Sequence, residues 1–376
     1  MDLPILCLTV RGQSNETQVS GTFPGHVKAK NLEAKRLTSK AGLEQRHQLA
    51  SDMRSNLSLR GLGAIFWGAD VDWRIKGIIQ KGLSVIPGGV RLNTTCQSVL
   101  GSLRDFDSHI SGKVEEWILS MNYLAHAGFC VRGSRITEIG TGWHPVFPLC
   151  FSLAGAQSLT TFDVTRLMSK TGTFHFLNCL EGYLPKISEL AREDIAVVRA
   201  RFFDYRDSKN LDELLSKSRI DYKAPADGRA TGFAPCSMDL VYSNSVLEHV
   251  PKDVIRDLMQ EGFRVLKPGG LVMHNVACND HYAGFDSSIS FVNFLRYEER
   301  EWKIWNNSIQ YQNRLRAPEF VELAVHAGFE VVDKRTHIRR GTWEALSSLH
   351  VASQFRHFTR EDLAATTVDF VCRKAC

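Results

Sequence analysis

Long apolar runs are missing from this chain of 376 residues. None approaches the ~20 residues that a membrane-spanning helix needs, so no membrane span is expected. The apolar stretch Pro4 to Val10 is too short, and no basic segment precedes it, so a signal peptide is not expected either. A concentrated excess of one charge is also missing. Lys and Arg total 46 against 41 Asp and Glu, a net charge of +5, which does not suggest a dedicated nucleic-acid binder, where a concentrated basic face is expected. Nine cysteines are scattered in odd number with no Cys-x-x-Cys pair. That argues against a disulfide framework and a zinc site, and for a reducing, cytoplasmic setting. Cys372 and Cys376 lie close together, as a chain tail explains. Internal repeats and low-complexity tracts are absent. What is present is a 43% apolar content, ample for one large core with an extra layer.

The chain divides into three parts. Residues 1–58 are polar, rich in Ser, Thr, Lys and Gln, and read as a flexible leader. Residues 59–130 read as a helical accessory or cap region. There Trp67, Trp73, Ile75, Ile78 and Ile79 cluster, and Pro87-Gly88-Gly89 marks a turn. Val114, Trp117, Ile118, Met121 and Leu124 recur at helical spacing and predict an amphipathic helix. Residues 131–376 alternate strand and helix patterns. Strands are expected at Ile136 to Ile139, Leu159 to Phe162, Val197 to Phe203, Leu240 to Tyr242, Leu271 to Val276, Glu330 to Asp333 and Val368 to Cys372. Such alternation predicts an α/β fold with a doubly wound, mostly parallel sheet.

Within this part, Ser134 to Gly142 reads as a buried strand running into a glycine turn, Glu138-Ile-Gly140-Thr141-Gly142. Asp163 follows 21 residues after Gly142, at the end of the next strand pattern. This is a nucleotide-binding β-α-β layout: glycines let the backbone approach a ligand, and the acid accepts from ribose hydroxyls. The dinucleotide pattern Gly-x-Gly-x-x-Gly fails, because Pro145 holds its third glycine position. That argues against NAD. Pro145 instead suits the first turn of a helix.

A second signal is Asp239-Leu-Val-Tyr-Ser-Asn-Ser-Val-Leu-Glu-His249, and a third is Arg264-Val-Leu-Lys-Pro-Gly-Gly-Leu-Val272. Taken with the glycine turn, these resemble the class I S-adenosylmethionine-dependent methyltransferases, in particular an uncharacterised bacterial subgroup of the type 11 kind. The resemblance spans about residues 130 to 335. It implies a Rossmann-like, seven-stranded sheet whose last strand adds antiparallel at the edge, and S-adenosylmethionine as cofactor. It assigns Gly140, Thr141 and Gly142 to the amino-acid part of the cofactor, with Glu138 orienting their loop. Asp163 is assigned to the ribose, Asp204 to the adenine, and Asn244 to the pocket near the sulfonium. One departure is His144, which stands where the family often has a third glycine, so its side chain must point out of the turn.

Methyl transfer is an in-line displacement that needs alignment, and a hydroxyl acceptor also needs a proton acceptor. His281 is the first candidate base, with neighbouring Asp280, and His249 is the second. Residues 279–316 form an insertion rich in aromatic and polar residues, expected as a lid or substrate wall. In it, Tyr282, Arg314 and Arg316 are candidate substrate contacts, the arginines through a carboxylate or phosphate or else through surface salt bridges. A magnesium site from Asp280, His281 and Asp286 ranks below a metal-free reading. The strand-four ending Ser243-Asn244-Ser245-Val246 lacks the Pro-Pro motif of nucleobase amino methylation, and Asn244 with Ser245 supply no acids to bind a polyamine. The expected partner is therefore a small molecule, most simply methylated on a hydroxyl. N-methylation and a non-catalytic binding protein are the alternatives.

Overall fold

The computed structural model describes residues 72–86 and 106–375. The polar leader, Trp67 and the Pro87-Gly88-Gly89 turn lie outside the described residues. Among the described residues, two helices precede the sheet: α1 (Trp73–Val85) and α2 (Phe106–His126). Then follow β1 (Arg135–Ile139), α3 (Val146–Leu153), β2 (Ser158–Phe162), α4 (Lys170–Cys179), α5 (Leu184–Ala191), α6 (Ile195–Arg206), α7 (Leu211–Lys217) and β3 (Ile220–Lys223). The second half contains β4 (Met238–Asn244), α8 (Lys252–Val265), β5 (Leu266–Ala277), α9 (Glu299–Trp305), α10 (Ala317–His326), β6 (Phe329–His337), α11 (Thr342–Ser348), α12 (Arg360–Ala364) and β7 (Thr367–Lys374).

The seven strands form one sheet in the order β3-β2-β1-β4-β5-β7-β6. All neighbouring pairs are parallel except those of β7, which runs antiparallel to both β5 and β6. Side chains alternate across each strand. Leu240, Tyr242 and Val371 face one core, with Val114, Trp117, Phe151 and Phe202 from the helices. Val241, Phe370 and Cys372 face the opposite core, with Ile255, Met259 and Phe320. The expected amphipathic helix is α2: Val114, Trp117, Met121 and Leu124 are all buried, and Trp117 meets Phe151 edge-on at 5.7 Å. A third cluster joins Trp73 of α1 to Tyr282, Trp302, Leu346, Phe355 and Leu363.

Two expectations are corrected. Val197 to Phe203 is not a strand but the middle of α6. Asp194 caps it by accepting from the Ala196 amide at 2.8 Å. Val198, Phe202 and Tyr205 then bury one helical face. The third strand is the four-residue β3, which pairs with β2 from Leu159↔Ile220 to Phe162↔Lys223. The last strand is also not at the edge: β7 lies between β5 and β6.

Candidate active site

In a doubly wound sheet the ligand crevice opens where the strand order reverses, beyond the carboxyl ends of the strands. Here that point lies between β1 and β4, which pair from Ile136↔Leu240 to Ile139↔Ser243. The turn after β1 is tightly determined. Gly140 has φ +82°, and a Cβ there would stand 2.4 Å from a methyl of Val246, which follows β4. Only glycine fits that close approach. Gly142 has φ +66°. His144 turns away from the loop and lies against Gly172 at the start of α4, where a Cβ would be 2.3 Å from its ring. A bulky residue is thus accommodated at a position often held by glycine.

Buried acids hold this turn. Glu138 accepts from the Thr161 hydroxyl at 2.6 Å, and Thr161 also meets the Thr141 hydroxyl. Burial pushes the Glu138 carboxyl up to about 8. Asp163 accepts from the Gly142 amide and the Thr165 amide, each at 2.9 Å. Its burial raises its pKa, and those two amides oppose the rise. Two bound amides leave carboxylate lone pairs for ribose hydroxyls. A backbone cradle that excludes a Cβ, flanked by a buried carboxylate, fits the nucleoside and amino-acid ends of S-adenosylmethionine.

At the end of β4, Asn244 donates to Glu116 of α2 at 2.9 Å. Lys113, one turn before on α2, pairs with Glu116 at 2.6 Å and comes within 3.5 Å of the Ser245 hydroxyl. Ser245 itself adopts φ +55°. Neither Glu116 nor Lys113 was expected at the site. Their helix was legible, but the face they share with β4 depends on how α2 packs.

The two candidate bases meet. His249 ends the 3₁₀ turn Leu247–His249 after β4, and His281 opens the 3₁₀ turn His281–Gly284 after the neighbouring β5. Their rings lie 4.8 Å apart, with 3% and 1% exposure. His249 Nδ1 faces the Tyr311 carbonyl at 2.8 Å, whereas His249 Nε2 and both His281 nitrogens have no hydrogen-bond partner. Burial lowers His249 to about 4 and drives His281 well below its usual range, so both imidazoles are neutral at pH 7. Glu248 lies beside them, fully buried, and its burial lifts its carboxyl to about 8. Glu248 was visible in the Leu-Glu-His motif without being given a role.

Other expected site residues have structural work instead. Asp204 sits on α6, paired with Lys217 at 3.2 Å and mostly exposed, because its segment is a helix rather than a strand end. The backbone of Lys223 and Ala226, not an acid, flanks Asp163 on that side. Asp280 caps its own turn, accepting from the Tyr282 amide at 2.9 Å and the Asn293 side chain at 3.1 Å. Tyr282 is wedged between Trp73 and Trp302 and donates to the Trp305 carbonyl at 3.0 Å. Arg314 donates to the carbonyls of Phe294 and Tyr297 and pairs with Glu299 at 2.6 Å. Arg316, with no exposed surface, donates to the carbonyls of Cys278, Asp362, Leu363 and Ala365. Neither arginine is available to an anionic substrate. Asp286 accepts from the Trp73 amide and from Ser288, so it does not join Asp280 and His281 in a metal site.

A family profile described as a methyltransferase domain matches residues 107–334. No curated protein sequence matches the chain. Solved structures share the architecture at low identity. One is a structure described as a putative sarcosine dimethylglycine methyltransferase from Galdieria sulphuraria, with 15% identity, 70% of this chain and 86% of that chain covered, and a TM-score of 0.39. Another is phosphoethanolamine N-methyltransferase 2 from Haemonchus contortus with S-adenosyl-L-methionine, at 16% identity, 69% and 52% coverage and a TM-score of 0.39. A third is an S-adenosylmethionine-dependent methyltransferase from Mesorhizobium loti, at 16% identity, 67% and 96% coverage and a TM-score of 0.36. Among the described residues, no helix is long and apolar enough to cross a membrane.

Proposed function

Because this chain belongs to the methyltransferase-domain family and is an S-adenosylmethionine-dependent methyltransferase, we propose that its acceptor is a hydroxyl oxygen of a small molecule. The observation that carries this reading is the buried His249–His281 pair with three unpartnered ring nitrogens. A hydroxyl must lose its proton as it attacks, and a neutral imidazole can take it. An amine acceptor, free of its proton, needs no such group.

S-adenosylmethionine, when bound, supplies a methyl carbon already activated by its sulfonium. Gly140, Thr141 and Gly142 hold its amino-acid end through backbone, Asp163 accepts from its ribose hydroxyls, and Asn244 lines the side toward the methyl. Glu138 and Thr161 fix the turn that carries those contacts. His281 accepts the acceptor's proton, with His249 as its neighbour. Alignment of this kind contributes about 7–11 kcal/mol in well-oriented reactions, and the base about 10²–10⁴-fold. Glu116 and Lys113 of α2 form one wall, and the 279–316 insertion another.

The test is a screen with radiolabelled donor against matched hydroxylated and amino acceptors. Methyl transfer to hydroxyls that falls at least 100-fold in His281→Ala supports the reading. Transfer only to amines, insensitive to that substitution, overturns it.

A further inference from the structure

β4 and β5 are neighbouring parallel strands, so the turns that leave them lie side by side. This brings Glu248 and His249 from one turn against His281 from the other. One donor atom from each lies within 4.8 Å of the others. All three side chains are at most 3% exposed. A histidine packed into a core for shape alone normally finds hydrogen-bond partners. Here both His281 nitrogens and His249 Nε2 have none. Each such buried atom costs about 1–3 kcal/mol, so their gathering at one point requires an explanation.

The one hydrogen bond present is informative. His249 Nδ1 lies 2.8 Å from the Tyr311 carbonyl, so it carries the proton and leaves the Nε2 lone pair without a partner. A ring nitrogen anchored on a carbonyl, with the other nitrogen free, is the arrangement of a metal-ligating imidazole. Two imidazoles and one carboxylate form a donor set suited to a divalent transition ion, and to zinc in particular. Bonds of about 2.1 Å at tetrahedral angles set donors about 3.4 Å apart. The observed spread is at most 4.8 Å.

We propose that Glu248, His249 and His281 form a site for one divalent transition-metal ion, with zinc as the reference ion. Three protein ligands leave at least one position open. An ion held there takes up the same lone pairs that would otherwise accept a proton, so metal loading and an imidazole base at His281 are alternative states of this site.

The experiment uses the full chain, stripped with a chelator and dialysed, then titrated with zinc alone by calorimetry and with cobalt alone by visible spectroscopy. The expected result is one zinc per chain, with cobalt bands characteristic of nitrogen and oxygen ligands. Glu248→Gln and His281→Ala should each weaken zinc by at least 10-fold, while Asp286→Asn, outside the cluster, binds as the parent does. Circular dichroism of each variant verifies folding. Should both variants unfold, the stoichiometry and cobalt spectrum of the parent chain decide. A folded parent chain that takes up no zinc and no cobalt overturns the site, as does uptake unchanged in both folded variants. Zinc binding is read without donor or acceptor, so its failure is distinct from failure of the hydroxyl reading. A protein that binds zinc yet methylates only amines retains this site and loses that reading.

Discussion

Replacing Gly140 with alanine tests whether the turn after β1 is held by steric closeness to the segment after β4. Two separable costs follow from the structure. At φ +82°, a residue with a Cβ is strained by roughly 1–2 kcal/mol. The new methyl also stands 2.4 Å and 3.0 Å from the two Val246 methyls, and such overpacking costs about 1–3 kcal/mol. The sum is about 2–5 kcal/mol, or a fall in melting temperature of about 5–15 °C for a domain of this size. Val246→Ala separates the terms. It removes both methyls and leaves a Cβ 3.3 Å away, a contact that a small shift relieves. In that background Gly140→Ala should cost only the backbone term, about 1–2 kcal/mol. The predicted coupling is therefore about 1–3 kcal/mol in favour of the double variant, well above the ~0.5 kcal/mol scatter of independent sites. Urea unfolding of the four proteins without donor measures it. Calorimetry with S-adenosylmethionine on the same four reports whether donor affinity follows the turn. Additivity within ~0.5 kcal/mol would refute the claim that Val246 defines this turn.

Three further outcomes are expected. Asp163→Ala should weaken S-adenosylmethionine binding and also lower stability by about 2–4 kcal/mol, since the Gly142 and Thr165 amides lose their acceptor; unchanged affinity by calorimetry would remove the ribose assignment. Arg316→Lys should lower the melting temperature while leaving the acceptor KM unchanged, because one ammonium cannot serve four carbonyls on different residues as a planar guanidinium does; a raised KM at unchanged stability would restore it as a substrate contact. Glu138 is held protonated to about pH 8, against a usual value near 4.5. The folded state therefore retains a proton that the unfolded chain releases, and this group's contribution to stability falls as pH rises from about 4.5 to 8, then levels off. Glu138→Gln should flatten the melting temperature over that window relative to the parent; parallel curves for the two proteins would contradict the burial assigned to this carboxyl.

The parts of the fold that the sequence displays are those set by local pattern. β1, β2, β4 and β5 carry apolar runs ended by glycine, an acid or a polar triplet, and each lies where it was expected within a few residues. The α6 segment misleads because Val197, Val198, Phe202 and Phe203 favour strands, whereas the Asp194 cap and the spacing of Val198, Phe202 and Tyr205 decide for a helix. β3 is four residues long within a polar stretch, and only its pairing with β2 makes it a strand. Among the proposed site residues, the glycine turn and Asp163 stand out by a fixed spacing, whereas His249 and His281 are far apart in sequence and meet only because β4 and β5 are neighbours. Arg314 and Arg316 were misassigned because an arginine on an inter-element segment reads as an anion binder until its burial is known. Asp204 followed the misread strand.

The placement of β7 bears on the order in which the sheet can be completed. Residues 367–374 supply the strand that joins β6 to the rest. Before they are in place, a growing chain presents the outer edge of β5 as open backbone and leaves β6 without a neighbour, although the strands around the cofactor turn are already made. Open edges of this kind are where chains pair wrongly with one another. A truncation at residue 366 would therefore remove far more than one strand: it would turn an interior seam of the sheet into an adhesive surface, close to the turn that carries His281.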